Sequence, residues 1–121
     1  LGRWGEDIAA AYMAGKGWYL RHRNWRHDGA ELDLIFIDEE DSKVVFVEVK
    51  TRRQSIQAPP QDNVDAAKQR RIARAAVSYM RKAKGLPGRD LECIFDVIAV
   101  TFDGENARVE WFPQAYIPLY V

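Results

Sequence analysis

The sequence predicts a single α/β domain, residues 1–121, whose helices and strands follow the order α-β-β-β-α-β-β. Two helix-forming stretches, residues 4–16 and 62–84, enclose three short runs rich in β-branched and aromatic residues, which are typical of strands. A strong hairpin turn at Asp103-Gly104 joins two further strand candidates. The chain of 121 residues is long enough to bury a core, and its 47% hydrophobic content is ordinary for a globular protein.

The first helix is predicted over residues 4–16, because its consecutive alanines favour a helix and the glycines at 15 and 17 can end it. The apolar residues that would share one side are Trp4, Ile8, Ala11 and Tyr12. Glu6 and Asp7 lie near its start, where carboxylates complement the positive end of the helix dipole.

Three strands are predicted next, over residues 18–25, 31–37 and 43–50. The turn at residues 27–29 ends the first strand, and the acidic turn at residues 38–42 joins the other two into a hairpin. The third strand is apolar on both faces from Val44 to Val49. It is therefore expected at the covered centre of a sheet.

Four charged residues are predicted to meet at the open end of this hairpin. If the hairpin is symmetric, the numbers of facing residues add up to 81, so Asp33 faces Glu48 and Glu31 faces Lys50. Facing carboxylates repel unless a cation or a proton neutralises them, and hard ions such as Mg²⁺ are bound by carboxylates, water and substrate phosphate. The alternative is an ordinary exposed ion pair between Glu31 and Lys50, with Asp33 and Glu48 hydrated.

The second helix is predicted over residues 62–84, with Asp62 or Asn63 as its N-cap and Gly85 beyond its end. Its inward stripe would consist of Val64, Ile72, Ala75, Ala76, Tyr79 and Ala83. Lys68 projects into this stripe, and Gln69 lies on its edge. Lys68 therefore either extends to solvent or reaches the carboxylates of the hairpin.

Residues 91–102 and 107–112 are the last two predicted strands. Asp96 lies within the first of them, among apolar residues, and is expected to be a buried carboxylate with a structural role. The remaining tail is expected to pack over an edge of the sheet.

A known nuclease signature is similar to part of this pattern. Asp33, followed after a hairpin by Glu48-Val49-Lys50, resembles the Asp…(Asp/Glu)-x-Lys signature of the restriction-endonuclease-like PD-(D/E)xK nucleases, which include Holliday-junction resolvases and RecB-type nuclease domains. The residue before Asp33 is Leu32 instead of the proline of that signature.

The whole chain resembles the YraN-like family of bacterial proteins, whose pattern also lacks that proline. The shared stretches are Gly5-Glu6, Ala9-Ala10, Arg23-Asn24, residues 31–35, residues 46–52, residues 68–71 and residues 95–100. Ala30 stands where a second glycine often occurs in the family.

These resemblances imply a restriction-endonuclease-like core, in which a central mixed β-sheet is flanked by helices. They also imply a nuclease that uses Mg²⁺ or Mn²⁺. Asp33 and Glu48 would hold the metal, Lys50 would assist the reaction, and Glu31 would be a supporting carboxylate. Glu6 would be the additional metal-binding carboxylate that resolvase-like and RecB-like members carry on their first helix, as the alternative to a role at the helix dipole.

Basic residues are balanced by acidic ones, 18 to 18, so bulk charge does not indicate nucleic-acid binding. They nevertheless cluster locally, for example at Arg21, Arg23 and Arg26. The residues predicted to contact nucleic acid are Arg52, Arg53, Lys68, Gln69 and Arg71. Because no element resembles a DNA-recognition helix, the expected substrate is DNA of a particular structure and not of a particular sequence.

The alternative function is a catalytically silent nucleic-acid-binding module, or an interaction module that needs a partner. Resolvase-like proteins often pair, so the resemblance also points to a homodimer. A single cysteine suits a reducing compartment, and neither a secretory signal nor a long apolar run is evident. A cytoplasmic protein without a membrane partner is therefore expected.

Overall fold

The computed structural model describes residues 2–54, 65–83 and 91–116. The elements are α1 Gly2–Ala14, β1 Tyr19–His27, β2 Ala30–Asp38, β3 Lys43–Arg53, α2 Ala66–Lys82, β4 Glu92–Asp103 and β5 Asn106–Phe112. Their order is the predicted one, and the α/β class is confirmed. Within the described segments, neither helix is long and apolar enough to cross a bilayer.

The strands form one mixed sheet in the spatial order β1-β2-β3-β4-β5. β3 and β4 are parallel, and the other neighbouring pairs are antiparallel. The connection between β3 and β4 contains α2, as a parallel pair requires a long crossover. The prediction of a central, covered third strand is confirmed, since Val44 and Val45 on its two faces are fully buried.

Each helix covers one face of the sheet. Val45 and Val47 of β3 belong to the core that includes Ala9 and Met13 of α1. Val44 and Phe46, which alternate with them, belong to the core that includes Ile72 and Tyr79 of α2. Charged side chains that continue this alternation along β3 are therefore directed to one helix or the other.

The predicted apolar stripe of α1 is wrong. Trp4 and Tyr12 are 69% and 41% exposed, and the buried residues of the helix are Gly5, Ala9 and Met13. A side chain at position 5 would overlap the side chain of Thr51 on β3, so this helix approaches the sheet through its small residues. It also begins at Gly2, two residues before the predicted start, which places Glu6 beyond the first turn.

The second helix begins later than predicted. Its N-cap is Asp65, whose carboxylate accepts a hydrogen bond from the backbone N–H of Lys68 at 2.8 Å. The N-caps predicted at 62 and 63, and the stop predicted at Gly85, lie outside the described residues. The inward stripe is confirmed where it is described, since the buried residues of α2 include Ile72, Ala75, Ala76 and Tyr79.

The last two strands form the predicted hairpin, although its two-residue loop is Gly104-Glu105, one position later than expected. Asp96 on β4 is 1% exposed. Its carboxylate accepts hydrogen bonds from the Trp111 ring at 2.9 Å and from the Gln114 backbone at 2.8 Å, which confirms its structural role. The tail begins to cover the edge of β4, where the Ala115 N–H donates to the Phe95 carbonyl.

Candidate active site

The site lies where β2 separates from β3. Residues 34–38 pair with residues 43–47 in the predicted register, with numbers that add up to 81, and the ladder ends at Leu34 and Val47. At the next position the Asp33 carboxylate accepts a hydrogen bond from the backbone N–H of Val49 at 2.8 Å. A side chain thus takes the place of the carbonyl that a continued strand would have supplied.

This separation overturns the prediction that Glu31 faces Lys50. Glu31 lies opposite Arg26 of β1, and its carboxylate is 2.9 Å from the Arg26 Nε. Lys50 of β3 lies on the face of the sheet that α2 covers, and its Nζ is 3.5 Å from a Glu48 oxygen. The predicted single cluster of three carboxylates and one ammonium is therefore divided into two adjoining groups. Asp33 belongs to the first and lies next to Glu48 of the second.

The strand β2 is irregular at Asp33. Leu32 packs in the core next to α2, and Leu34 packs in the core next to α1, whereas residues two apart in a regular strand share a face. On β1, the partners of Leu34 and Leu32 are Arg23 and Trp25, and Asn24 between them has a φ of 52°. Asparagine adopts this left-handed conformation more readily than most residues. The irregularity allows Asp33 to contact both groups.

The first group consists of three carboxylates from two elements. Glu6 of α1 and Glu31 and Asp33 of β2 each offer an oxygen, and these oxygens all lie within 4.8 Å of one another. All three residues are partly buried. The structure therefore brings Glu6 to Asp33, as the predicted metal site requires, and adds Glu31 to them. Three hard oxygen donors at this spacing could hold a divalent cation.

Glu6 does not complement the dipole of α1. It directly follows Gly5, whose close approach to Thr51 brings the helix against β3. Its carboxylate lies 3.5 Å from the guanidinium of Arg23, which also contacts Asp7 at 2.8 Å. The carboxylates at the start of α1 are therefore directed to β1 and β2.

The second group is centred on Glu48, which is 8% exposed. One of its oxygens is 2.7 Å from the Nζ of Lys68 on α2 and 3.5 Å from the Nζ of Lys50 on its own strand. Of the two outcomes left open for Lys68, the structure confirms that it reaches the carboxylates. Glu48 thus has two ammonium partners in the structure and stands apart from the three-carboxylate group.

Asp33 is the most strongly perturbed residue of the site. Burial and the nearby Glu48 carboxylate raise its pKa to about 8, against the opposing effect of the Val49 hydrogen bond. Glu6 and Glu31 raise the pKa further in the same direction. A divalent cation among these carboxylates would reverse the effect, because it would favour their charged form.

The two lysines are shifted in opposite directions. The pKa of Lys50 is lowered by burial and by the neighbouring Lys68, although Glu48 opposes both. Burial also lowers the pKa of Lys68, but its contact with the Glu48 carboxylate at 2.7 Å outweighs burial, and the pKa is raised. Both lysines face the same Glu48 oxygen, and Lys68 is the closer of the two, at 2.7 Å against 3.5 Å.

Two cavities adjoin the site. A small one of about 10 Å³ has room for about one water, and it is lined by Leu32, Asp33, Phe46, Val47, Glu48, Ile72 and Tyr116. An open groove of about 600 Å³ lies on the other side and is lined by Gly2, Arg3, Glu6, Arg23, Asn24, Arg26 and Glu31. Sequence reasoning did not place Tyr116 or β1 at the site. The basic cluster on β1 was the only signal of the groove.

The residues predicted to contact nucleic acid do not all lie at the site. Lys68 contacts Glu48, and Gln69 follows it on α2, half-buried. Arg52 donates a hydrogen bond to the Thr101 hydroxyl on β4 at 3.1 Å. Arg53 and Arg71 are exposed. Their role in binding nucleic acid stays a prediction.

Comparison with known proteins identifies the family. The model described as "Uncharacterised protein family UPF0102" matches residues 5–100. A UPF0102 protein of Syntrophotalea carbinolica is 47% identical over 118 residues, which cover 96% of this chain and 90% of that relative. A second, from Bacteroides thetaiotaomicron, is 39% identical over 118 residues, with 98% and 93% covered. The predicted YraN-like membership is thus confirmed, and the chain belongs to the UPF0102 family.

Proposed function

We propose that the protein is a Mg²⁺- or Mn²⁺-dependent nuclease that hydrolyses phosphodiester bonds, and that its fold is restriction-endonuclease-like. The observation that carries this proposal is the convergence of Glu6, Glu31 and Asp33 beside Glu48 and Lys50, at the point where β2 leaves β3. Charged groups are expensive to bury, and three neighbouring carboxylates repel one another, so a divalent cation among them would favour their charged form. The mixed five-stranded sheet with a helix on each face is compatible with the proposed fold.

Asp33 would be the central ligand of the cation, with Glu6 and Glu48 on its two sides and Glu31 as a supporting carboxylate. When bound, a divalent cation neutralises the charge that develops on the phosphate and lowers the pKa of a bound water. The Val49 N–H orients the Asp33 carboxylate, since it donates to Oδ2 at 2.8 Å. The residues present therefore fit a hard cation.

Lys50 and Lys68 would have different tasks. Lys68, with its raised pKa, remains an ammonium and balances the buried charge of Glu48. Lys50, with its lowered pKa, can donate to the reacting phosphate or orient the attacking water. The small cavity between Asp33 and Glu48 has room for about one such water.

The proposed substrate is DNA with a particular branched or unpaired structure, and the protein would act in the cytoplasm, as a homodimer where two strands must be cut. A nucleic-acid-binding module without turnover, or one that a partner activates, is the second candidate. It is favoured by one observation, that Glu48 already has Lys68 and Lys50 as charge partners and so needs no metal for its own stability.

The direct test is cleavage of labelled duplex, single-stranded and branched DNA, and of RNA, with Mg²⁺ or Mn²⁺. We expect a substrate to be cut by the wild type and not by Asp33→Asn or Lys50→Met. Asp103→Asn, which changes an exposed carboxylate in the distal hairpin, is the matched control and should leave cleavage unchanged. Binding without cleavage on every substrate would favour the second candidate.

A further inference from the structure

The open groove beside the three-carboxylate group has a composition that suits an anionic chain. Its volume is about 600 Å³, and it contains the side chains of Arg3, Arg23 and Arg26 together with Glu6 and Glu31. β1, which supplies two of these arginines, pairs only with β2 among the described strands and lies at an edge of the sheet. A long polymer could therefore lie across the groove without meeting another strand.

Two of the arginines contact the same carboxylates that would bind the cation. The Arg26 Nε is 2.9 Å from a Glu31 oxygen, and its side chain is 79% exposed. Arg23 lies 3.5 Å from Glu6 and 2.8 Å from Asp7. The Arg26–Glu31 pair is exposed, and exposed ion pairs contribute about 0–1 kcal/mol, so Arg26 can exchange partners at little cost. The guanidinium groups of Arg23 and Arg26 are both suited to a phosphate. Their forked donors match the oxygens of a phosphate.

A bound cation would change which partner these arginines prefer. Without it, the carboxylates of Glu6 and Glu31 face the groove as negative charges, which repel a phosphate. With it, their charge is neutralised and their attraction for Arg23 and Arg26 falls, so a phosphodiester becomes the better partner. Binding of the cation and binding of the phosphate would then strengthen each other, and such coupling is reciprocal.

We propose that this groove binds the sugar-phosphate backbone of the nucleic acid, through Arg23 and Arg26, and that it does so cooperatively with a divalent cation at the neighbouring carboxylates. The inference rests on the proposed nuclease function and extends it. It places the principal phosphate contacts on β1, on the side of α1, and not on Arg52, Arg53 and Arg71. A single strand or the arm of a branched DNA is the substrate that an open edge groove admits.

The test is binding of fluorescein-labelled single-stranded and branched DNA, measured by anisotropy with Ca²⁺ and again with EDTA. The variants are Arg23→Ala, Arg26→Ala and the double variant. Arg108→Ala is the matched control, because Arg108 is also an exposed strand arginine near a glutamate, 3.9 Å from Glu110, but on β5 at the other edge of the sheet. Arg26→Lys keeps the positive charge but removes the paired N–H donors of the guanidinium group.

With Ca²⁺, we expect the affinity of the double variant for DNA to be about tenfold or more lower than that of wild type. The slope of log K against log salt concentration should also become shallower, by about 0.7–0.9 for each phosphate that the variant no longer neutralises. The decrease should be smaller in EDTA, where the carboxylates already occupy the arginines. The Arg108 control should change the affinity little, and Arg26→Lys should fall between wild type and Arg26→Ala. Circular dichroism and thermal unfolding check that the variants are folded.

Each other outcome overturns a distinct claim. If wild type binds and cuts DNA but the Arg23 and Arg26 variants match the Arg108 control, the groove is not the phosphate site and the nuclease proposal stands. Equal decreases in affinity with Ca²⁺ and EDTA would remove the cooperativity with the cation. If wild type neither binds nor cuts any substrate, the proposed function fails and the groove assignment fails with it.

Discussion

The Asp33 carboxylate accepts a hydrogen bond from the backbone N–H of Val49 at 2.8 Å, at the point where the ladder between β2 and β3 ends. This hydrogen bond links β2 to β3 beyond the last backbone pair of their ladder. It also holds a carboxyl group at the boundary between Glu6 and Glu31 on one side and Glu48 on the other. The proposed metal site therefore depends on an irregularity in β2.

The first prediction concerns pH and Asp33→Asn. The pKa of Asp33 is about 8 in the folded protein, against an ordinary value of about 3.9 in an unfolded chain. Between these values the folded state holds a proton that the unfolded state has released. Asp33 therefore makes the protein less stable as the pH rises from about 4 to about 8, and the full penalty is present above that range.

Asparagine can still accept the Val49 hydrogen bond but carries no charge. We expect Asp33→Asn to be more stable than wild type near pH 8 by about 1 kcal/mol or more, with little difference near pH 4. Urea unfolding in EDTA across this range measures the effect. Asp103→Asn, an exposed carboxylate, provides the control. A difference between wild type and Asp33→Asn that does not grow with pH would contradict the assigned environment of Asp33.

The second prediction concerns Lys68→Met. This change leaves the buried Glu48 with Lys50 as its remaining ammonium partner of the two, and Lys50 is the farther one at 3.5 Å. Removing a partner from a buried charge destabilises by about 1–3 kcal/mol or more. Arg74→Met, at an exposed position on the same helix, is the control. Equal free energies of unfolding for the two variants would show that Lys68 does not stabilise Glu48.

The third prediction concerns the approach of α1 to the sheet. Gly5→Ala would add a methyl group where the Thr51 side chain lies, so α1 must shift away from β3. We expect destabilisation by about 1–3 kcal/mol from overpacking, even though alanine favours a helix more than glycine does. Gly2→Ala, at a position with open space, should have no such effect.

A double-mutant cycle makes this prediction sharper. Thr51→Ala removes the Thr51 hydroxyl, which is the atom nearest to the added methyl group, so the double variant should recover part of the stability that Gly5→Ala removes. Strict additivity of the two changes would contradict the close contact. Because Glu6 follows Gly5, a shift of α1 should also weaken Mn²⁺ binding in Gly5→Ala.

Much of the fold was predictable because its signals are local. The hairpin register between β2 and β3 follows from a symmetric turn and from alternating apolar residues, and it holds from Asp38–Lys43 to Leu34–Val47. It fails one residue later, where the Asp33 side chain bonds to Val49 in place of a backbone carbonyl. A regular alternation cannot predict where a side chain will replace the ladder.

The remaining errors concern how elements approach one another. Trp4 and Tyr12 suggested the apolar side of α1, but the helix packs through Gly5 and Ala9 because small residues permit a closer approach to β3. The groove was missed for a similar reason. Its wall is built by the start of α1, by β1 and by β2, and their side chains meet only after the sheet and the helix are assembled.

The most direct test of the metal site is a calorimetric titration with Mn²⁺, on wild type and on the double variant Asp33→Ala with Glu48→Ala. Asp7→Asn, beside Glu6 but outside the three-carboxylate group, is the matched control. We predict that wild type and the control bind the ion and that the double variant does not. Should wild type fail to bind Mn²⁺ even in the presence of branched DNA, the carboxylates would not form a metal site, and the central claim would be contradicted.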